Sequence, residues 1–344
     1  MLKFEVASRT LHFHQPAGTS RGVYTTRKSW FVSVTDTEKP GYTGVGECAP
    51  LPNLSCDDVP DYEERLRQIC TLVETLGDIP YNVLRPYPSM LFGIETALMR
   101  LKARGDIIYD TPFVHGEGMA INGLVWMGNH DEMLRRMEEK VEKGFGCVKL
   151  KIGAIDFEYE MDLIKRLRNR FSEDTIQLRL DANGAFTPAE ALGKLHRLAS
   201  YGIHSIEQPI AQRQWGKMGE LCRKSPIPIA LDEELIGVNI TEAKRQMLET
   251  IRPQYIILKP SLHGGIHGCK EWISLAESMG IGSWITSALE SNVGLSAIAQ
   301  FAAHIYGCPA PMPQGLGTGM LFADNIDMPL KVEGDKLFYK PSGV

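Results

Sequence analysis

The stretch CVKLKI, Cys147 to Ile152, sets the reading of the whole chain. Polar and apolar residues alternate with the period of a β-strand, so Lys149 and Lys151 fall on one face. Short apolar runs of this kind recur from about residue 118 onward. They centre on Ile121–Val125, Cys147–Ile152, Gln177–Leu180, His204–Gln208, Pro228–Leu231, Tyr255–Leu258, Gly282–Thr286 and, more weakly, Pro313–Gly317. Amphipathic stretches separate them, the pattern of parallel strands joined by crossover helices. Thr187-Pro188-Ala189-Glu190 is a capping box with proline at the first helical position, ahead of Leu192, Leu195 and Leu198. Eight such strands close naturally into a barrel, with a doubly wound open sheet as the competing arrangement.

Upstream, Lys3–Phe13, Val23–Thr35 and Gly41–Cys48 read as three antiparallel strands, with a Lys39-Pro40-Gly41 turn before the third. Asp58–Leu76 and Ser89–Arg104 follow with helical spacing. The expected organisation is an α+β unit over residues 1–115, a barrel over 116–320, and a segment, 321–344, returning to the first unit. Composition fits: 344 residues, 43% hydrophobic and 23% charged, exclude disorder and collagen-like repeats. A net charge of −5, without a basic run interleaved with aromatics, argues against a nucleic-acid partner. The start MLKFEVASRTLHFHQ reads as a strand rather than a signal peptide, and no apolar run is long enough for a membrane span. Seven scattered cysteines form no C-x-x-C pair. A reduced, cytoplasmic enzyme without a membrane partner is the expectation.

In a barrel, functional side chains sit at the carboxyl ends of strands. Polar residues gather there: Lys149 and Lys151 on the second strand, Asp181 and Asn183 on the third, Glu207 on the fourth, Asp232 on the fifth, Lys259 on the sixth. Asp181, Glu207, Asp232 and Lys259 follow one another by 26, 25 and 27 positions, one β/α repeat each. Three carboxylates converging from adjacent strands supply hard oxygen ligands, the donor set of a Mg²⁺ site; Mn²⁺ satisfies the same oxygens. Lysines beside a divalent cation and each other are expected to have lowered pKa values, which prepares a neutral amine for proton abstraction. Lys259 would face Lys151 across the barrel.

KLKIG (Lys149–Gly153), LDANG (Leu180–Gly184), IEQP (Ile206–Pro209), LDE (Leu231–Glu233) and LKP (Leu258–Pro260) together resemble the enolase superfamily, in its muconate-lactonizing-enzyme subgroup. The resemblance covers nearly the whole chain. It implies an N-terminal α+β capping domain and a modified (β/α)₇β barrel. It also implies that Asp181, Glu207 and Asp232 are the Mg²⁺ ligands, that Lys151 is the second lysine of Lys-x-Lys and that Lys259 is its counterpart. The shared step is removal of a proton alpha to a carboxylate, giving an ene-diolate.

SALESNVGL (Ser287–Leu295), GECAPLPNLS (Gly46–Ser55) and QPAGTSRG (Gln15–Gly22) are most similar to the o-succinylbenzoate synthase family. That likeness implies dehydration of a succinyl-bearing cyclohexadiene carboxylate in menaquinone biosynthesis. Lys151 would act as base and then acid on one face, with Lys259 as the electrostatic partner. Dipeptide epimerases usually carry Asp-x-Asp on the last strand, where this chain has Gly315-Leu316-Gly317-Thr318-Gly319. An N-acylamino acid racemase or dipeptide epimerase is the alternative, and an idle scaffold barrel a more distant one.

Arg179 and Asn183 share strand parity with Asp181 and are expected to support the carboxylates; Ser287, Glu290, Gly315, Gly317 and Thr318 are expected around the substrate. Capping loops Gly18–Arg27 and Cys48–Cys56 are expected to complete specificity, with Arg21 and Arg27 as candidates to attract a second carboxylate. His263 and His267, in a glycine-rich stretch, read as loop histidines rather than ligands. The expected partner is a small carboxylate substrate, and the reading admits a homo-oligomer.

Overall fold

The computed structural model describes residues 1–19, 22–126 and 128–341. Strands β1 (Leu2–Thr19), β2 (Gly22–Asp36) and β3 (Thr43–Cys48) form an antiparallel sheet in that order. Helices α1 (Tyr62–Leu76), α2 (Tyr81–Leu84) and α3 (Pro88–Ala103) cover one face. Alternate residues Val32 and Val34 of β2 pack there against Leu66, Ile69, Leu91 and Ile94. The helix α3 lies unusually close to β3. A Cβ on Gly46 would meet the Gly93 carbonyl oxygen at 1.8 Å, so two glycines facing each other set this spacing.

After β4 (Met119–Ala120) the chain enters the repeating part: β5 (Gly123–Val125), α4 (His130–Glu142), β6 (Cys147–Lys151), α5 (Phe157–Arg170), β7 (Gln177–Asp181), α6 (Pro188–Leu198), β8 (Ile203–Glu207), α7 (Trp215–Lys224), β9 (Ile229–Leu231), α8 (Thr241–Ile251), β10 (Tyr255–Leu258), α9 (Gly265–Ser278), β11 (Gly282–Ile285) and α10 (Asn292–Tyr306). The seven strands from β5 to β11 are parallel and lie in chain order. A doubly wound sheet would reverse that order at a switch point. The helix starts follow local chemistry: Thr187 donates its backbone N–H to Glu190 at 3.0 Å, and Asn129 and Glu132 reciprocate at 3.0 and 3.1 Å.

The expected eighth strand, Pro313–Gly317, is shorter than its pattern. Only Gln314 and Gly315 pair, through parallel bridges to Ile121 and Thr286, because Gly317–Leu321 turns into a 3₁₀ helix. Those two residues nevertheless span the gap between β11 and the start of the barrel. Gln314 N–H donates to Ala120 O at 2.8 Å, and Gly315 N–H donates to Ile285 O at 2.9 Å. The chain ends in a hairpin, β12 (Leu330–Glu333) and β13 (Lys336–Tyr339), which adds to β4. Among the described residues no helix is long and apolar enough to cross a membrane.

Two buried carboxylates tie the sheet-and-helix unit to the barrel. Glu47 of β3 accepts from Ser291 N–H (2.9 Å), Ser291 Oγ–H (2.6 Å) and Gly294 N–H (2.9 Å) at the start of α10. Glu95 of α3 accepts from Ile266 N–H (2.6 Å) and His267 N–H (3.0 Å) at the start of α9. Each carboxylate satisfies donors that a helix leaves orphaned and opposes the positive end of its dipole. Glu47→Ala is therefore expected to cost about 2 kcal/mol or more, read as a lower urea midpoint, since buried donors lose their acceptor.

Burial pushes the Glu95 carboxyl up to about 8, against the two amide donors that pull it down. A carboxyl whose pKa rises on folding binds its proton more tightly in the folded state. Its contribution is full below its ordinary 4.5, erodes as pH rises, and is lost by about 8. Urea titrations across that window are expected to show falling stability, with a flatter profile for Glu95→Gln.

Candidate active site

The register of the barrel brings the charged residues together. Lys151 pairs directly with Asp181 across β6 and β7, and Asp181 with Glu207 across β7 and β8. Asp232 lies just beyond β9, two residues past Ala230, which pairs with Glu207. All three carboxylates are buried. The backbone turns sharply after two of them, at Asn183 (φ 44°) and Gln208 (φ 39°). Asparagine tolerates this left-handed region better than most residues. Gln208 is held in it by its own side chain, which donates to Ile210 O at 3.0 Å and accepts from Glu234 N–H at 3.2 Å.

Lys149 donates to Glu207 Oε2 at 2.8 Å and lies 3.0 Å from Asp181 Oδ2. Lys151 donates to Asp181 Oδ2 at 3.0 Å and to Asn183 Oδ1 at 2.7 Å. Lys259 donates to Asp232 Oδ2. Burial pulls the Lys149 ammonium down, yet the charges of Asp181 and Glu207 overcome it and its pKa is raised. Lys259 is raised in the same way by Asp232 and Glu207. In the protein alone, then, surrounding carboxylates outweigh burial at both lysines, whereas the lowering expected from the sequence is for lysines beside a divalent cation. Burial drives Asp181 upward, but Lys149, Lys151 and Lys259 hold it well below the usual carboxylate range. Glu207, desolvated and beside Asp181, is pushed up to about 8.

Among the described residues no three acidic, histidine or cysteine side chains are already drawn into a closed ligand cage. Ammonium groups stand between the carboxylates instead. Yet Glu207 Oε1 and Asp232 Oδ1 are buried without a hydrogen-bond partner. Buried orphaned carboxylate oxygens on adjacent strands are the donors a hard divalent cation takes, so Asp181, Glu207 and Asp232 fit one.

The remaining expected residues separate into three groups. Asn183, Ser287, Gly315, Gly317 and Thr318 line the cleft, and Ser287 Oγ lies 2.5 Å from Thr318 Oγ1. Arg179 lies deeper. It packs 4.4 Å above the Trp284 ring and donates to Pro313 O at 2.9 Å, with no hydrogen bond to the carboxylates it was expected to hold. Glu290 does not line the cleft. It accepts from Ala288 N–H at 2.6 Å and from Ser261, bracing the turn that Ser291 caps.

Arg27 is likewise buried, gives four N–H bonds to the carbonyls of Ala49, Pro50, Ala288 and Leu289, and does not line the cleft. Arg21 lies outside the described residues. His263 is buried behind Lys259, whose backbone N–H donates to its Nδ1 at 2.9 Å. His267 belongs to α9 rather than a loop, and stacks on Tyr81.

Sequence reasoning passed over Glu233, although it stands beside Asp232 in the quoted LDE. It is buried, lines the cleft, and accepts from Asn183 Nδ2–H at 2.8 Å. The Cys48–Cys56 loop, expected to complete specificity, supplies Leu51 and Leu54 to an apolar wall, whose other members, Trp126, Leu289, Met320 and Leu321, the sequence does not single out. Trp126 and Leu289 lie outside helix and strand and Met320 and Leu321 in a short 3₁₀ helix, so no periodicity marks them. The cleft encloses about 1140 Å³ including its open mouth, room for one small molecule.

Residues 132–334 match the enolase C-terminal domain-like family. The chain is 43% identical to an o-succinylbenzoate synthase of Desulfotalea psychrophila, over 95% of this chain and 96% of that protein. The crystal structure of MenC from Desulfotalea psychrophila superposes with a TM-score of 0.83 at 39% identity, covering 98% and 99% of the two chains. An L-Ala-D/L-Glu epimerase of Bacillus subtilis is 25% identical over 88% of this chain and 85% of its own.

Lys149 offers a test of the charge arrangement. Lys149→Met is expected to destabilise the chelator-treated protein by about 3 kcal/mol, because two buried carboxylates lose their shared cation. Thermal scans with and without Mg²⁺ should show a smaller loss when the metal is supplied.

Proposed function

The chain belongs to the enolase superfamily and is a carbon–oxygen lyase, and from that premise we propose that it is a Mg²⁺-dependent o-succinylbenzoate-forming dehydratase. The substrate would be 2-succinyl-6-hydroxy-2,4-cyclohexadiene-1-carboxylate, the step belonging to menaquinone biosynthesis. The observation that carries the choice of substrate is the far wall of the cleft. Among the described residues lining it, the only carboxylates are Asp181, at the end of β7, and Glu233, in the turn after β9. Opposite stand Gly315, Gly317, the Ser287–Thr318 hydroxyl pair and apolar side chains. That wall suits a flat carbocycle and offers no fixed anion to an ammonium group. A Cβ on Gly315 would meet Thr286 Cβ at 2.6 Å, so the backbone there stays bare.

Members of this superfamily bind a divalent metal, typically Mg²⁺, and Asp181, Glu207 and Asp232 are the residues that would hold it here. When bound, the metal neutralises charge on the substrate carboxylate. The chain's own residues do the rest. Lys151, fixed on Asp181 and Asn183, takes the proton alpha to the carboxylate; the electrons of that C–H bond delocalise into the carboxylate as an ene-diolate. The resulting Lys151 ammonium then returns its proton to the departing hydroxyl on the same face, releasing water and completing the aromatic ring. Lys259, held as a cation by Asp232, faces the developing negative charge. Leu51, Leu54 and Met320 exclude water from the mouth.

A second reading has one observation in its favour: lysines on β6 and at the end of β10 stand on opposite sides of the cleft, as racemisation of an N-acylamino acid or epimerisation of a dipeptide requires.

An ultraviolet assay for conversion of the cyclohexadiene to o-succinylbenzoate decides between them. Turnover is expected to depend on Mg²⁺ and to fall by roughly 10³-fold or more in Lys151→Ala. Absence of turnover by folded, Mg²⁺-loaded protein would sink the synthase reading, and alpha-proton exchange in D₂O with N-acylamino acids and dipeptides would then test the second. Asp232→Asn is expected to abolish the rise in melting temperature that Mg²⁺ gives the native protein.

A further inference from the structure

The chain that follows β7 and the turn that follows β9 meet through one contact that the reaction above does not use. Asn183 Nδ2–H donates to Glu233 Oε1 at 2.8 Å, while Asn183 Oδ1 accepts from Lys151 Nζ at 2.7 Å. Lys151 and Glu233 are both buried, and all three residues border the cleft. We propose that Glu233 is a positioning residue for Lys151, acting through the amide of Asn183; this rests on Lys151 being the base of the proposed reaction.

The argument is one of donors and acceptors. Lys151 Nζ donates to this amide and Glu233 Oε1 accepts from it, so the group between them must accept at one end and donate at the other. A carboxamide does this in one orientation. Turned over, Asn183 would present N–H to Lys151 Nζ and oxygen to Glu233 Oε1, and both contacts would be lost as they stand. Glu233 is what makes the turned-over state costly. The Asn183 backbone supplies a second constraint: its own N–H donates to Asp181 Oδ1 at 3.1 Å, fixing the base of the side chain.

Glu233 is itself held in place. It opens the 3₁₀ turn Glu233–Leu235, closed by Leu235 N–H donating to Asp232 O at 3.0 Å. Its other oxygen, Oε2, has no partner, so the Asn183 contact is the one that defines its orientation. With Asp181 Oδ2 and Asn183 Oδ1 both taken, two directions at Lys151 Nζ are fixed as N–H donors, and the third, which carries the lone pair of the neutral amine, remains for the substrate proton. Placement errors of about 1 Å at a reacting group cost on the order of 10²-fold in rate, so this support has kinetic weight.

The test compares Glu233→Met, Glu233→Gln, Asn183→Leu and the double variant Glu233→Met/Asn183→Leu. In the synthase assay Glu233→Met is expected to lower kcat by on the order of 10- to 100-fold with little change in KM. Glu233→Gln, which keeps an acceptor for Asn183, is expected to restore most of that loss. The double variant should fall no further than Asn183→Leu alone, because both changes break one chain of contacts. Losses that multiply, or a Mg²⁺ affinity by calorimetry that drops tenfold in Glu233→Met, would overturn the proposal, the latter by assigning Glu233 to the metal.

A second readout needs no substrate. In protein labelled with [ε-¹³C]lysine, the Lys151 resonance, assigned with Lys151→Arg, is expected to move in Glu233→Met and to stay near its native position in Glu233→Gln. In an Asn183→Leu background Glu233→Met should leave it unmoved. An unchanged Lys151 resonance in Glu233→Met in the native background would overturn the proposal even where the synthase assay is silent, and a failed assay with a shifted resonance would overturn only the choice of reaction. Glu233→Asp, which withdraws the carboxylate from Asn183, serves both comparisons if Glu233→Met does not fold.

Discussion

Four carboxylates and three lysines share the mouth of one barrel, and that imbalance is the constraint to which the rest of the structure answers. Asp181, Glu207, Asp232 and Glu233 are buried, and removing such groups from water costs several kcal/mol each unless they are paired. Lys149, Lys151 and Lys259 supply most of the compensation. One negative charge is left over, and three carboxylate oxygens, Glu207 Oε1, Asp232 Oδ1 and Glu233 Oε2, are left without a donor. The protein alone settles this by raising Glu207 toward a protonated form and by holding Lys149 and Lys259 as ammonium groups. A divalent cation would relieve the same imbalance in the opposite sense, freeing lysines from carboxylates.

The β/α repeat delivers these charges, but other parts of the chain hold them. Buried Glu47 and Glu95 reach from the N-terminal unit into the barrel and cap the helices after its last two full strands. Arg27 adds a knot of backbone contacts between the loop at Ala49–Pro50 and the turn at Ala288–Leu289. The loop carrying Leu51 and Leu54 is thereby fixed against the turn that carries Ser287. The Leu51–Leu54 lip and the charged floor of the cleft come from different units, yet their relation is set by fully buried polar contacts rather than by a soft apolar seam.

Most of the barrel and its charged ring could be read from the residues alone, because period-two strands and a repeat of 25 to 27 residues leave a strong mark. The eighth strand was overextended: Gly315 and Gly317 read equally well as strand or turn, and the chain turns after two paired residues. Arg27 and Glu290 read in sequence as candidates for the ligand, for a physical reason that also explains why the structure places them elsewhere. A charged side chain in a loop looks available until its burial is known, and both prove to be spent on backbone groups and a serine hydroxyl. Glu233 failed in the other direction. Beside a stronger candidate it was read as part of the motif, and only the meeting of two loops shows that it answers Asn183.

Glu47 is four residues from Leu51, a distance too short for the chain to wander. The carboxylate that locks the N-terminal unit onto α10 is therefore also the near end of a short tether whose far end forms the lip of the cleft. Substitutions beyond the tether, at Leu51 or Leu54, alter what the mouth admits without loosening the lock. In this architecture the lock and the lip of the cleft are neighbours on one strand end, so the lip can change shape while the charged residues of the barrel keep their place.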